Sequence, residues 1–332
     1  MRIPRSVFEQ TVASLFRPVA IYLKGDEVSE IMINGHEEIY VEKAGRLHLS
    51  DSRFDSEHDL MSALRNLSQF VGRELSPQRP ILEARLPDGS RVQAVIPPAA
   101  PSGPVVSIRR FRRRQPTLQR LVELGSVPRE ISALLQSVVE RKHNVVIAGG
   151  SGSGKTSFLN ALSSLASDDE RVVVIEDSQE LQIQLRHIVQ LESQPPNVRG
   201  IGGVTIRDLL RATLRLRPDR IVIGEIRGGE ALDLIQAMTS GHRGCLSTVH
   251  ATLPIDTLSR LETMALMSDV VVPLAVLRIQ IASAVDTIVQ VSRGRDGARF
   301  VTHVSEVHGW DAERGYHIEH LFERPEDIEG VK

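Results

Sequence analysis

The run Asn144-Val145-Val146-Ile147-Ala148 leads directly into Gly149-Gly150-Ser151-Gly152-Ser153-Gly154-Lys155-Thr156. A glycine, four free positions and then Gly-Lys-Thr form the P-loop pattern. Here it lies between a strand-like apolar run and the helix-like Ser157-Phe158-Leu159-Asn160-Ala161-Leu162, the setting that motif requires. Glycines let the backbone curl so that successive N–H groups, including those leading to Ser157, point at one phosphate chain. The start of the helix adds partial positive charge at the same place. The pattern predicts that Lys155 bridges the β- and γ-phosphates of a nucleoside triphosphate and that the Thr156 hydroxyl completes the coordination of Mg²⁺. The plain alternative is a glycine-rich loop that only turns the chain, and the complete motif in this setting disfavours it.

The chain has 332 residues, enough for about two domains with sizeable cores. Its formal net charge of −2 gives no global pull towards nucleic acid or anionic lipid, so any such contact must be local. The single cysteine, Cys245, excludes an internal disulfide framework and sits in an apolar run, where a buried inert thiol is expected. Met1-Arg2-Ile3-Pro4-Arg5 does not open a signal peptide, and the apolar stretch Val270 to Val291 is interrupted by Pro273, Arg278, Gln280 and Asp286. A cytoplasmic protein is expected, reaching a membrane only through a partner.

The fold class expected is α/β: a P-loop domain preceded by a smaller α+β domain. In residues 1–111, hairpins are expected over Ser29–Glu42, turned by Asn34-Gly35-His36, and over Ala84–Val92, turned by Pro87-Asp88-Gly89; a helix is expected over Asp59–Leu67. Residues 112–117 are the expected linker, within a run that carries five arginines in the six positions Arg109–Arg114. That run reads either as a nucleic-acid or lipid contact or, in the favoured reading, as a solvated linker pairing with this protein's own carboxylates or phosphates. From Leu118 to residue 332 strands and helices alternate, as in a three-layer α/β domain. Strands are expected at Asn144–Ala148, Arg171–Ile175, His187–Glu192, Arg220–Gly224 and Gly244–Val249. The intervening helices are expected at Ser157–Leu165, Ile206–Leu216 and Glu230–Thr239, followed by Ile255–Met267, Leu274–Ala284 and a terminal meander of short strands.

Two strands end in carboxylates. Arg220–Gly224 leads to Glu225, placed to orient Mg²⁺ or the attacking water, and the position that usually holds an aspartate is Gly224. Arg171–Ile175 leads to Glu176-Asp177, a second acid to hold metal or activate water. His242 and His250 bracket a further strand; the reading favoured over zinc is that His250 senses the γ-phosphate. Arg207, Arg211 and Arg215, four residues apart, form a helical stripe that reads equally as a solvated face or as a charge supplied across a subunit boundary.

Leu216–Ala231 resembles the Walker B region of the type II/type IV secretion ATPase superfamily, most closely its CpaF/TadA branch, which serves Tad (Flp) pili. Glu176-Asp177 corresponds to that family's Asp box and Gly241-His242 through His250 to its His box, in the family's order. Ile33-Asn34-Gly35, Arg85–Arg91 and Thr257–Met264 extend the likeness over most of the chain. The tetracysteine zinc site of some members is absent. The resemblance implies a hexameric ring ATPase with a RecA-like carboxy-terminal domain and ATP between its two domains, acting on an inner-membrane platform protein at the cytoplasmic face; nucleic acid is not expected as a partner, since the arginine run is read as a linker. It also implies that amino-terminal arginines reach the nucleotide, the candidates being Arg85, Arg91, Arg109 and Arg110. Alternatives are a TrbB-type conjugation ATPase, a nucleotide-gated scaffold with little turnover, and a nucleic-acid translocase.

Overall fold

The computed structural model describes residues 10–11, 14–24, 27–43, 45–111, 115–196 and 200–325. The chain forms two compact units, the first up to Arg113, the second from Arg114 onward apart from Asn197–Ile201. Arg112, Arg113 and Arg114 of the expected linker lie outside the described residues.

The first unit is a six-stranded antiparallel sheet in the order β3-β2-β1-β6-β5-β4. Its strands are β1 (Val28–Asn34), β2 (Glu38–Lys43), β3 (Arg46–Leu49), β4 (Ile81–Arg85), β5 (Arg91–Val95) and β6 (Val105–Arg109). A short helix α1 (Ala20–Lys24) precedes them, and α2 (Glu57–Phe70) lies between β3 and β4 in sequence. Alternate strand residues Ile31, Ile33, Val106 and Ile108 share one core with Leu60, Ala63, Leu64 and Leu67 of α2. The Ser56 side chain caps α2 by accepting from the Asp59 N–H, and Glu57 and Asp59 suit the positive end of the helix. Both expected hairpins form. β3 has no signal in the sequence because all four of its residues are exposed on the sheet edge.

The second unit is an eight-stranded sheet in the order β14-β13-β12-β7-β11-β10-β8-β9. The strands are β7 (Val145–Ala148), β8 (Val172–Glu176), β9 (Ile188–Glu192), β10 (Arg220–Ile223), β11 (Leu246–Val249), β12 (Thr287–Arg293), β13 (Arg299–Asp311) and β14 (Gly315–Glu323). Pairing is parallel from β12 through β9 and antiparallel from β12 to β14. Helices cover both faces. On one lie α3 (Leu118–Glu123), α4 (Arg129–Glu140) and α5 (Lys155–Ser163), packed on Val145, Ile147, Val172 and Val174. On the other lie α6 (Ile206–Thr213), α7 (Glu230–Thr239), α8 (Pro254–Ala265) and α9 (Leu274–Ala284), packed on Val146, Ala148, Val173 and Ile175. Consecutive strand residues thus feed opposite cores, which is why these strands read as unbroken apolar runs.

Three expectations are corrected. The helix expected over Ile206–Leu216 stops at Thr213. Arg215 N–H bonds back to Ala212 O at 3.0 Å and Leu216 N–H to Thr213 O at 2.8 Å, tightening the last turn ahead of Pro218. The stripe of arginines is therefore cut, with Arg215 beyond the helix. Its first two members share one carboxylate: Arg207 Nε and Arg211 Nε donate to the two oxygens of Asp233 on α7, at 2.6 and 2.8 Å, with Arg211 still exposed on its other side. The terminal meander is also longer than expected, because β13 is paired on both sides and continues to Asp311 through a register shift at Val307/Gly309. Cys245 is fully buried, and burial pushes its thiol up to about 12, so it is inert. Among the described residues no helix is long and apolar enough to cross a membrane.

Arg220, which opens β10, is buried and donates to Glu170 through Nε at 2.8 Å and to Val139 O through Nη2 at 3.0 Å. Lys142 Nζ reaches the same carboxylate at 2.9 Å. Removing one partner of a buried pair leaves the other uncompensated. Glu170→Ala is expected to cost about 3 kcal/mol, read as a lower urea midpoint, and adding Arg220→Met should recover part of the loss.

Candidate nucleotide-binding site

Parallel strands bring their carboxyl ends to one edge, and most of the site hangs from that edge. Ala148 of β7 pairs with Val249 of β11 on one side and with Gln290 of β12 on the other. The loop after β7, the histidine after β11 and the end of β12 are therefore level with one another. The loop is tightly walled: a Cβ on Gly149 would collide with the Val291 carbonyl and the Ser153 hydroxyl. Gly152 and Gly154 take φ of +69° and +94°, which L side chains rarely adopt. Ser153 Oγ donates to Gly150 O at 2.9 Å, closing the loop on itself. Gly154 is the N-cap of α5, so the first free N–H groups of that helix face the loop.

Lys155 is buried, and its ammonium donates to Gly149 O at 3.0 Å and Gly150 O at 2.8 Å. Its Nζ also lies 3.5 Å from His250 Nε2. That imidazole nitrogen is 2.7 Å from Glu225 Oε1. The fold thus gathers Lys155, His250 and Glu225, which are expected together from three separate strand ends, into one contiguous cluster. Thr156 is half-buried in the first turn of α5, and Ser151 is exposed on the loop. Ser157, expected to face the ligand, donates its hydroxyl to Gln115 Oε1 at 3.0 Å.

Glu176 is buried, and its Oε1 accepts from Glu180 N at 2.9 Å and Leu181 N at 3.0 Å. Its carboxylate therefore seats the turn that follows β8. The same side chain explains Gly224: a Cβ there would stand 3.1 Å from Glu176 Cγ. The carboxylate expected from β10 has its space filled by one from β8. Thr248 Oγ1 donates to Gly224 O at 2.6 Å, tying β11 to the same point.

Of the arginines, Arg215 is not brought to the loop. It enters the amino end of β10, the edge of the parallel sheet opposite the P-loop, and is exposed there. His242 likewise lies at the amino end of β11, away from His250. In the first unit, Arg85, Arg91 and Arg109 are direct cross-strand neighbours on β4, β5 and β6, so they form one row on a single face. Arg110 follows the strand and anchors it, its N–H bonding Ser29 O at 3.0 Å.

Three residues escaped the sequence reading. Arg227 donates through Nε to Glu225 Oε2 at 2.9 Å and stands 3.3 Å from Asp177, bridging the ends of β10 and β8. Its position two residues after Glu225 was a usable signal. Arg293 and Arg299, on β12 and β13, flank the P-loop, with Arg299 Nε donating to Gly152 O at 2.9 Å. They lie more than 130 residues from the motif, and no spacing pattern links them to it.

The donor set fits a polyphosphate: backbone N–H groups, an ammonium and a helix start. Partial burial and then the Lys155 cation hold the His250 imidazole below its ordinary value of 6.5, against the pull of Glu225. A depressed histidine favours the folded state above 6.5, and that contribution is lost as pH falls through the folded value. A proton NMR titration should place the His250 midpoint below 6.5, and Lys155→Ala should raise it. Gly149→Ala is expected to weaken nucleotide binding by at least about tenfold, read by fluorescence of a labelled ATP, because its Cβ must displace β12 or the loop.

The chain matches the Type II/IV secretion system protein family over residues 14–302. It is 34% identical over 307 residues to the type IV secretion system protein PtlH of Bordetella pertussis, covering 84% of this chain and 89% of the relative. It is 33% identical over 323 residues to a Mycobacterium tuberculosis protein provisionally named for conjugal transfer, covering 92% and 90%. The solved structure of the Legionella pneumophila ATPase DotB superposes with a TM-score of 0.60 at 18% identity, over 94% of this chain and 83% of that one, a likeness of fold. With the P-loop, the two acidic strand ends and His250 on one edge of a RecA-like sheet, the chain belongs to the type II/type IV secretion ATPase superfamily.

Proposed function

We propose that the chain hydrolyses ATP and turns hydrolysis into mechanical work for a secretion or pilus machine. The observation that carries this reading is the cluster of Lys155, His250 and Glu225, in which a phosphate-binding cation lies 3.5 Å from a neutral imidazole and that imidazole 2.7 Å from a carboxylate. Lys155 exchanges the Gly149 and Gly150 carbonyls for phosphate oxygens. His250 donates to the terminal phosphate as its contacts to Lys155 and Glu225 loosen. Glu225, released from His250, orients the attacking water, while Arg227 keeps the carboxylate aimed. The Thr156 hydroxyl and the Glu225 carboxylate are hard oxygen donors suited to Mg²⁺, which when bound would neutralise charge on the phosphates. Glu176 shapes this wall by seating the turn after β8.

The finer reading, from the motifs, is a homo-hexameric motor of the CpaF/TadA type that assembles Tad/Flp pili on an inner-membrane platform protein. The names of the two relatives support a second reading, a conjugation or type IV secretion motor. Pull-down of membrane partners separates the two. Glu225→Gln is expected to bind ATP while turnover falls by roughly 10²–10³-fold, and Lys155→Ala to lose binding itself. Turnover of the wild type should rise with protein concentration in step with light scattering if the site is completed in a ring. A Lys155→Ala protein with ordinary turnover sinks the reading.

A further inference from the structure

The hairpin of β12 and β13 ends beside the P-loop. Arg293 and Arg299 are direct partners across it, and the tip is closed by Gly294 N–H bonding Ala298 O at 2.8 Å. The hairpin is held in place by the parallel pairing of β12 with β7, whose last register pair is Gln290 with Ala148. From that foothold Arg299 Nε donates to Gly152 O at 2.9 Å. The stem of the same side chain packs on Gly154, its Cδ 3.0 Å from where a Cβ would stand, and Arg293 Nη1 is 3.3 Å from the equivalent point on Gly152.

We propose that Arg299 is a positioning residue for the nucleotide, acting through the peptide between Gly152 and Ser153. In a trans peptide the carbonyl and the following N–H point in opposite directions. Holding Gly152 O towards the hairpin therefore aims Ser153 N–H back across the loop. That N–H now meets Gly150 O at 3.5 Å, a long contact that a phosphate oxygen readily replaces. A glycine on the positive-φ side of the map has no side chain to settle its peptide, so without an outside anchor the 152–153 plane is free to flip. A charged donor on a carbonyl makes a stronger anchor than a neutral one. The hairpin thus preorganises the loop, and the ordering cost is met before the ligand arrives.

The inference rests on reading the loop as the triphosphate site, and the test separates the two. Arg299→Gln keeps an N–H donor at the same distance along the side chain as arginine Nε, whereas Arg299→Met keeps the stem and loses the donor. Binding of a fluorescent ATP and steady-state turnover are measured for both, with melting temperature as the folding control. Arg299→Met is expected to raise Kd and KM about tenfold with kcat within about twofold, and Arg299→Gln to restore most of the affinity. Equal losses in the two variants overturn the proposal, because the charge and not the peptide anchor is then at work. Unchanged affinity in both also overturns it. A Lys155→Ala protein that binds as tightly as wild type instead removes the reading of the loop, and this inference with it.

Discussion

Everything chemical in the second unit depends on the parallel pairing of β7 with its two neighbours. Parallel strands all end on the same side, so the residues after Ala148, after Val249 and beyond Gln290 are delivered to one edge. Both faces of those strands are buried under helices, which leaves the register no freedom to slip. The close approach of Val291 to Gly149 follows from the same pairing. A one-residue slip would place a side chain where the P-loop needs none.

The charged groups at that edge satisfy one another. Lys155 holds loop carbonyls, His250 stands between Lys155 and Glu225, and Arg227 ties Glu225 to Asp177. A ligand bound there would exchange these contacts for its own, so its affinity would be set by the difference between two sets of polar contacts. In the proposed exchange Glu225 changes partners, whereas Glu176, which accepts from two backbone N–H groups, holds its turn in place. Two carboxylates with similar sequence settings thereby acquire different roles.

How much was legible varied with the physics of each element. Doubly buried strands and amphipathic helices carry their own periodicity, and the P-loop strand, the Walker B strand and α7 were found within a residue or two of their ends. Exposed β3 has no such pattern, and β13 owes its length to partners on both sides. The arginine stripe misled because spacing reports only which residues share a face. It cannot show that Asp233 waits opposite Arg207 and Arg211, or that the helix ends before Arg215. Within the site, Lys155 was legible from the Gly-Lys-Thr motif, and Glu225 and His250 because each sits at the end of an apolar run. Arg227 lies within the Walker B stretch, but its contact with Asp177 on another strand end does not show there, and Arg299 belongs to no motif.

The sequence alone determined the anion cradle and the order of the strand ends, because glycine spacing, apolar runs and terminal carboxylates are local properties of the chain. Only the tertiary structure decided that Glu176 fills the space over Gly224, that Glu225 is shared between His250 and Arg227, and that a distant hairpin anchors Gly152. Those outcomes depend on which strands lie side by side, and that is settled by burying two cores at once, not by any one segment.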